Sequence, residues 1–357
     1  MSGATMRAAR LHGRRDLRVE QLAGPPEPGP GEVLVRIGSV GVCGSDLHIY
    51  QHGRIGDTIL RAPLILGHEF GGIVEAAGGG AIDGAGAPLA AGTRVAIDPA
   101  VPCRACELCA AGHPNLCANL TFFGLYPTDG ALCERMVVPA RVCFPLPPSI
   151  PDEHAPLLET LGVALHAVDL AHVRPASSVA VIGSGAIGLL VAQVARVAGA
   201  MPLLVTDRLP WRLELAERLG TATVNLAEHD PTQAAMAATA GRGVDVAIEC
   251  AWSSDDALAQ AVDVLRPGGR LVVVGIAGDD RLTLRHSTAR RKGLTIAMCR
   301  RMKHTYPRAI ALAESGRVDL GTLITHRFPL EAAQDAIRLA AEYEDGVVKA
   351  IVNVSGS

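Results

Sequence analysis

From Met6 to about Ile150 the chain is a mosaic of short apolar runs, among them EVLVRIGSVGV, GGIVEAAG, TRVAIDP and ERMVVPARVCFPLP, split by Gly, Pro and Asp. Runs of that length between turn formers predict a β-rich, compact, barrel-like domain. The rhythm changes after PPSIPDEHAPLLETLGVALHAVDLAHVRP, where a helix is expected to begin near Pro151 to Glu153. From Ser178 on, apolar strands alternate with helical stretches: SVAVIG, MPLLVTD, RLELAERLG, VDVAIECA, DDALAQAVDVL and GRLVVVG. That βα alternation predicts a doubly wound parallel sheet, so the fold class is α/β with a separate β-rich domain. The closing stretch reads as a strand, a break and a helix (GLTIAMCRRMKHTYPRAIALAESGRV) and ends on the strand GVVKAIVNV. The expected division is 1–155, 156–298 and a tail, 299–357, that returns to the first domain. The Gly/Ala patch EAAGGGAIDGAGAPLAAG is expected to be a surface loop.

A chain of 357 residues has room for two ordinary cores. With a formal net charge of -3 and 19% charged residues, no bulk field draws it to nucleic acid or an anionic membrane. Aromatics, at 3%, are too few for a base-stacking platform. The run VAVIGSGAIGLLVAQVARVAGAMPLLV is apolar enough to suggest a membrane span. Its early glycines, with Gln193 and Arg196, suit a strand, turn and buried helix better. The N-terminus has no apolar stretch of signal-peptide length, and a cytoplasmic location is expected. Nine cysteines in such a compartment are mostly reduced.

Within VAVIGSGAIG, Gly183, Gly185 and Gly188 stand in G-x-G-x-x-G spacing, with Ala186 and Ile187 between the last two, after an apolar strand and at the start of a helix. The first glycine permits the turn, the second lets backbone approach a pyrophosphate, and the third lets helix pack on strand. Asp207 ends the next strand, nineteen residues after Gly188, where a carboxylate accepts ribose hydroxyls. Its charge repels a 2′-phosphate, so NAD is expected; Arg208 and Arg212 would favour NADP if they turned inward.

Two polar spots interrupt otherwise apolar text, VGVCGSDLHIY and LILGHEFGG. Cys43, His68 and Glu69 offer a thiolate, an imidazole and a carboxylate, a set that suits zinc with one position open. A lone cysteine is also a common core packer, and a His-Glu pair is common surface polarity. Spacing alone does not bring Cys43 beside His68. Four more cysteines, Cys103, Cys106, Cys109 and Cys117, fall within CRACELCAAGHPNLC. CxxC pairs of this kind can hold metal or exchange disulfides. Cys133, Cys143, Cys250 and Cys299 show no ligand spacing and are expected to pack.

The order GVCGSDLH, GHEFGGIVE, the four-cysteine lobe, VIGSGAIG and THRFPLE resembles the zinc-dependent medium-chain alcohol dehydrogenases over essentially the whole chain. Within them, CGSDLHIYQHGRIGD, LLETLGVALHA and LITHRFPLEAAQDAI are most similar to the polyol branch, the sorbitol (L-iditol) 2-dehydrogenases. The resemblance implies a GroES-like catalytic domain, a Rossmann domain, NAD, a catalytic zinc and a homotetramer. It implies Cys43, His68 and Glu69 as ligands of that zinc, with Glu159 of LLET binding its water or replacing Glu69. On local sequence Glu159 would be an ordinary carboxylate near a helix start. The C-x2-C-x2-C-x7-C cysteines would hold a second zinc, a closed tetrahedral site that does no chemistry.

In the family a catalytic zinc acidifies an alcohol that holds its proton at neutral pH, and a hydride passes to the nicotinamide. Ser45 is then expected to contact the reacting hydroxyl and His48 to pass its proton onward. Locally the two read equally well as a turn-capping pair. Arg301 in MCRRMKHTYP is expected to reach the polyol hydroxyls, with Arg300 its solvated neighbour, and Phe122 or Phe123 to wall the pocket. Where polyol enzymes commonly carry an aromatic after the relay histidine, this chain has Ile49. L-threonine or 2,3-butanediol dehydrogenase on the same scaffold is the alternative activity. A non-catalytic adaptor keeping the fold is disfavoured, because Cys43, Ser45 and His68 are all present.

Overall fold

The computed structural model describes residues 5–251, 255–278 and 281–355. Two compact units emerge. The first takes the chain through Glu159, then Tyr306–Glu314 and everything from Ile324 on; the second is Thr160–Thr305 with Ser315–Leu323. The tail expected as one piece from 299 is therefore divided, for identifiable reasons. Tyr306 is buried in the first unit, stacked 4.6 Å from Phe144 and donating its hydroxyl to the Ile97 carbonyl at 2.6 Å. Segment Ser315–Leu323 is held in the second unit by Gln193, whose amide accepts from Asp319 N at 2.7 Å and donates to Asp319 O at 3.1 Å. The residue that interrupted the apolar run is thus a satisfied buried polar group.

The first unit is built on a mixed seven-stranded sheet in the order Cys143–Pro145, Arg94–Ile97, Glu69–Ala77, Glu32–Gly41, Lys349–Asn353, Ile324–Pro329, with Arg135–Pro139 also paired to Glu32–Gly41. In EVLVRIGSVG every second residue, Val33, Val35 and Ile37, points into the core, the period of two that half-buried strands require. A smaller sheet joins Asp16–Ala23, Thr5–Gly13 and Leu64–Ile65. The Gly/Ala patch is, for most of its length, the exposed loop that its composition suggested. Its first residues complete the strand Glu69–Ala77, and Ala81, Asp83 and Leu89 are buried. Asp83 Oδ1 accepts from Ala85 N at 2.8 Å and Ala87 N at 2.9 Å, which folds the patch back on itself.

The second unit is a six-stranded parallel sheet in the order Ala222–Asn225, Leu203–Asp207, Val179–Ile182, Val244–Glu249, Leu265–Val273, Thr295–Met298. Numbered along the chain this is 3-2-1-4-5-6, the doubly wound order. The central strand Val179–Ile182 is buried on both faces, which explains its unbroken apolar run. Asp245 ties three strands at one end of this sheet. It accepts from Ser178 N at 2.8 Å, Ser178 Oγ at 2.6 Å, Arg242 Nη1 at 2.8 Å and Arg266 Nε at 2.7 Å.

Burial pushes the Asp245 carboxyl up, but hydrogen bonds from Arg242, Ser178 and Arg266 outweigh it and hold the group well below the usual range. The folded value lies below the unfolded one of about 3.9, so this stabilisation is complete above about pH 4 and is lost as pH falls further. Asp245→Asn is expected to lower unfolding free energy by about 1 to 3 kcal/mol at pH 7. In denaturant titrations at several pH values, the gap from wild type should narrow on acidification below about pH 4.

Candidate active site

The strand register of the first unit assembles the metal-ligating candidates. Gly41 pairs with Glu69 across neighbouring strands, which sets Cys43, two residues beyond the end of one strand, beside His68, one residue before the start of the other. Ligand atoms of Cys43, His68 and Glu69 lie within 4.8 Å of one another, with His68 and Glu69 buried. The remoteness of Cys43 from His68 in sequence is closed by sheet pairing, which spacing could not reveal. Gly41 has to be glycine, because a Cβ there would collide with the Glu69 carboxylate.

His68 is oriented from both sides. Its Nε2 is 3.2 Å from Ser45 Oγ, and its Nδ1 is 3.4 Å from Asp46 Oδ1. A carboxylate behind the ligating histidine fixes the ring and leaves the other nitrogen for metal. Burial pulls His68 down, but Asp46 and Cys43 outweigh it and raise the group well above its ordinary value. Asp46 also accepts from Cys43 N at 3.0 Å, closing a capping box at the start of the helix Gly44–His52. Sequence reasoning passed over Asp46; its signal was the box C-x-x-D within GVCGSD.

Sequence reasoning also missed Lys349. Its ammonium, 3% exposed, donates to both oxygens of Glu69, at 2.9 and 2.6 Å, and to the Val42 carbonyl at 3.1 Å. Burial pulls Lys349 down, yet the charges of Glu69, Cys43 and Glu159 hold it above its ordinary value. No local motif marks a lysine in GVVKAIVNV as a partner of GHE, 280 residues away. Glu159 is buried on the helix Ala155–Ala171 and stands outside the three-residue ligand cluster.

The remaining candidates of the first unit separate clearly. Phe122 lies against His68, ring centroids 5.4 Å apart, whereas Phe123 turns into the core and meets Phe70 edge-on at 6.3 Å. His48 is buried on the helix Gly44–His52, its ring 6.1 Å from that of His52. Ile49 is buried beside it.

Elsewhere in this unit, Cys103, Cys106, Cys109 and Cys117 bring their sulfurs within 4.8 Å of one another. The Cys103–Cys117 separation is 3.5 Å and the Cys106–Cys117 separation is 3.9 Å. Around a tetrahedral zinc with bonds of about 2.3 Å, sulfurs stand about 3.8 Å apart, so the set fits that ion; a disulfide needs about 2.05 Å. Backbone N–H groups of Ala105 and Cys106 pull Cys103 down to about 6, which favours the thiolate. Cys133 and Cys143 are buried in the core, Cys250 and Cys299 partly so, and burial raises all four thiols.

The second unit carries the nucleotide fingerprint. Gly183 has φ of 94°, open only to glycine at low cost, and a Cβ on Gly188 would collide with the Gly183 carbonyl. The helix Ala186–Val197 follows, presenting its N-terminus with Gly185 as cap; Ala186 and Ile187 form its first turn. Asp207 is held by four donors: Ser184 N at 2.8 Å and Oγ at 2.9 Å on one oxygen, Arg208 N at 2.7 Å and Leu209 N at 3.0 Å on the other. Arg212 lies 3.9 Å from the same carboxylate and is partly neutralised by it. Ser184, fully buried, was missed by the spacing argument because it is one of the motif's free positions. Arg301 sits in this unit with φ of 59°, an uncommon conformation for a residue other than glycine.

Residues 29–148 match the alcohol dehydrogenase GroES-like domain family and residues 186–315 the zinc-binding dehydrogenase family. The chain is 36% identical to a sorbitol dehydrogenase of Bacillus subtilis over 97% of both chains. It is 39% identical to the sorbitol dehydrogenase of Gallus gallus, over 91% of this chain and 90% of that one. Among solved structures, a zinc-binding dehydrogenase from Sinorhizobium meliloti 1021 bound to NADP superimposes with a TM-score of 0.88 at 32% identity, covering 98% of this chain and 100% of the other. The chain belongs to the zinc-binding, medium-chain alcohol dehydrogenase family, with its GroES-like and Rossmann domains, and is an oxidoreductase that uses zinc and NAD.

Two outcomes follow from these contacts. Cys106→Ser is expected to lower bound zinc from two ions per chain to one while leaving the catalytic ion in place, as read by metal analysis. Unchanged zinc content would rule out the four-thiolate site. Lys349→Met would leave the Glu69 carboxylate buried without its counter-ion, at a cost of about 3 to 5 kcal/mol. Thermal unfolding with and without zinc should show a larger loss in the zinc-free protein, since among the described residues Lys349 is the cation in a salt bridge with Glu69.

Proposed function

We propose that the chain oxidises a secondary alcohol of a polyol such as sorbitol, xylitol or galactitol to a ketose, with NAD as hydride acceptor. The observation that carries the reading is the cluster of half-buried Cys43 with buried His68 and Glu69, and Ser45 Oγ 3.2 Å from His68 Nε2, which places a hydroxyl beside the candidate ligand imidazole. The names of the Bacillus subtilis and Gallus gallus relatives support the substrate class.

Cys43 and His68, with Glu69 or Glu159, would hold the zinc, which would supply a Lewis acid for alcohol deprotonation near neutral pH. Ser45 orients the reacting hydroxyl and accepts its proton, and His48 carries that proton away from the site. Phe122, packed on His68, excludes water from the same place. Glu159 and Arg301 read the remaining hydroxyls of the substrate. Gly183, Gly185 and Gly188 let the backbone approach the pyrophosphate, and Asp207 takes the adenosine ribose, with Arg208 and Arg212 flanking it.

The chain is proposed to be cytoplasmic and homotetrameric. Among the described residues no helix is long and apolar enough to cross a membrane. The strand Thr295–Met298 is at the edge of its sheet and exposes Ile296 and Met298, an arrangement that invites pairing with a second copy.

Ile49, where polyol enzymes commonly have an aromatic, keeps L-threonine or 2,3-butanediol as the second reading. Initial rates of NAD reduction by the zinc-loaded enzyme, on sorbitol, xylitol and galactitol against L-threonine and 2,3-butanediol, separate the two. Polyol turnover is expected, with Arg301→Ala raising KM for polyols. Turnover of threonine or butanediol alone would overturn the substrate assignment and leave the zinc chemistry standing.

A further inference from the structure

A cavity of 470 Å³ in the first unit is ringed by basic side chains that the dehydrogenase chemistry does not use: His12, Arg14, His52, Arg54 and Arg61. They come from three separate segments: the end of strand Thr5–Gly13 with the turn after it, the end of helix Gly44–His52 with the strand Arg54–Ile55 that follows, and the approach to Leu64. No acidic side chain lines it. Of the nearby carboxylates, Asp16 pairs with Arg18 at 2.7 Å, and Glu20 pairs with Arg10 at 3.5 Å and with the lining residue His12 at 2.9 Å, so the basic character of the cavity rests on Arg14, Arg54 and Arg61.

Two of the arginines are anchored through Nε alone. Arg14 Nε donates to the His52 carbonyl at 3.0 Å, which also covers the negative end of that helix, and Arg54 Nε donates to Gly56 O at 3.0 Å. Anchoring by Nε fixes each guanidinium while its terminal nitrogens remain available as donors. Gly53, with φ of 67°, ends the helix Gly44–His52 in the left-handed conformation that glycine adopts at low cost, and so turns the chain into the cavity wall. Like charges gathered around a concave surface concentrate field and attract a counter-ion, and guanidinium forks match the oxygens of a phosphate, whose double charge near neutral pH answers several arginines at once.

We infer that this cavity binds a phosphomonoester. The volume exceeds one phosphate group and admits the carbon chain of a phosphorylated small molecule. Such a ligand has two sources, a free phosphorylated metabolite acting on the enzyme or the terminal phosphate of a phosphorylated polyol substrate, and the second rests on the polyol reading above.

The deciding measurement is calorimetric titration of inorganic phosphate into zinc-loaded enzyme saturated with NAD, so that the dinucleotide phosphate site is filled. Saturable binding is expected, about tenfold or more weaker in Arg54→Ser/Arg61→Ser. Arg338→Ser, an exposed arginine paired with Glu342 and Glu344, should bind like wild type. Absence of saturable binding, or equal binding by the double variant, would overturn the site. Calorimetry reads the cavity whether or not polyols are turned over. Kinetics then assign the source. A kcat/KM for sorbitol 6-phosphate above that for sorbitol, lost in the double variant, supports a substrate phosphate. Sorbitol rates that respond to phosphate with a midpoint at its Kd support a free ligand.

Discussion

The first unit depends on a buried charge pair. Glu69, 1% exposed, has both oxygens on Lys349, and neither charge is tolerable there without the other. Three strands must be in register to bring them together: Glu69–Ala77 beside Glu32–Gly41, and Lys349–Asn353 on the other side of the latter. Because a slip of one residue turns every side chain to the opposite face, the ion pair and the sheet register specify each other. Cys43 and His68 are direct extensions of those paired strands, so a correct register sets their separation too. The last strand of the chain therefore matters to a site made mostly by its first third.

The second unit solves a comparable problem with neutral donors. Asp207 has to present a carboxylate near the edge of a parallel sheet, and four N–H and O–H donors from Ser184, Arg208 and Leu209 fix it. Since two of these are backbone groups of the turn that follows its own strand, the carboxylate and the turn are one rigid piece. Ser184 couples that piece to the glycine loop on the neighbouring strand.

Local pattern made most of the architecture legible. The βα alternation from Ser178 yielded the parallel sheet, and G-x-G-x-x-G with Asp207 the nucleotide end, because those signals lie within consecutive residues. Cys43, His68 and Glu69 are legible as a candidate set from their ligand chemistry and from family likeness, whereas spacing alone does not bring Cys43 beside His68; sheet pairing does. Lys349 escaped because its partner is far away in sequence and a lysine in a strand has no motif. Asp46 escaped because its second bond, to His68, is tertiary. The division of the tail at Tyr306 and Ser315 was hidden for the same reason, since it rests on Tyr306 reaching Ile97 and Gln193 reaching Asp319. The Gly/Ala patch is the exposed loop its composition suggested, and what composition left out is Asp83, whose carboxylate folds it back on itself.

The two metal-ligating clusters differ in what holds them before any ion binds. Cys43, His68 and Glu69 are placed by strands, a capped helix and the Lys349 ammonium, so their geometry is a property of the sheet. Cys103, Cys106, Cys109 and Cys117 come from a segment with one four-residue helix and one short 3-10 turn. None of the first three is buried in a core, and little apolar area is available to order them. In that lobe metal binding supplies ordering free energy that packing does not, whereas at the buried cluster it meets ligands already in place. That contrast supports the proposed structural duty of the four thiolates and the proposed chemical one of the mixed thiolate, imidazole and carboxylate set, on physical grounds independent of family likeness.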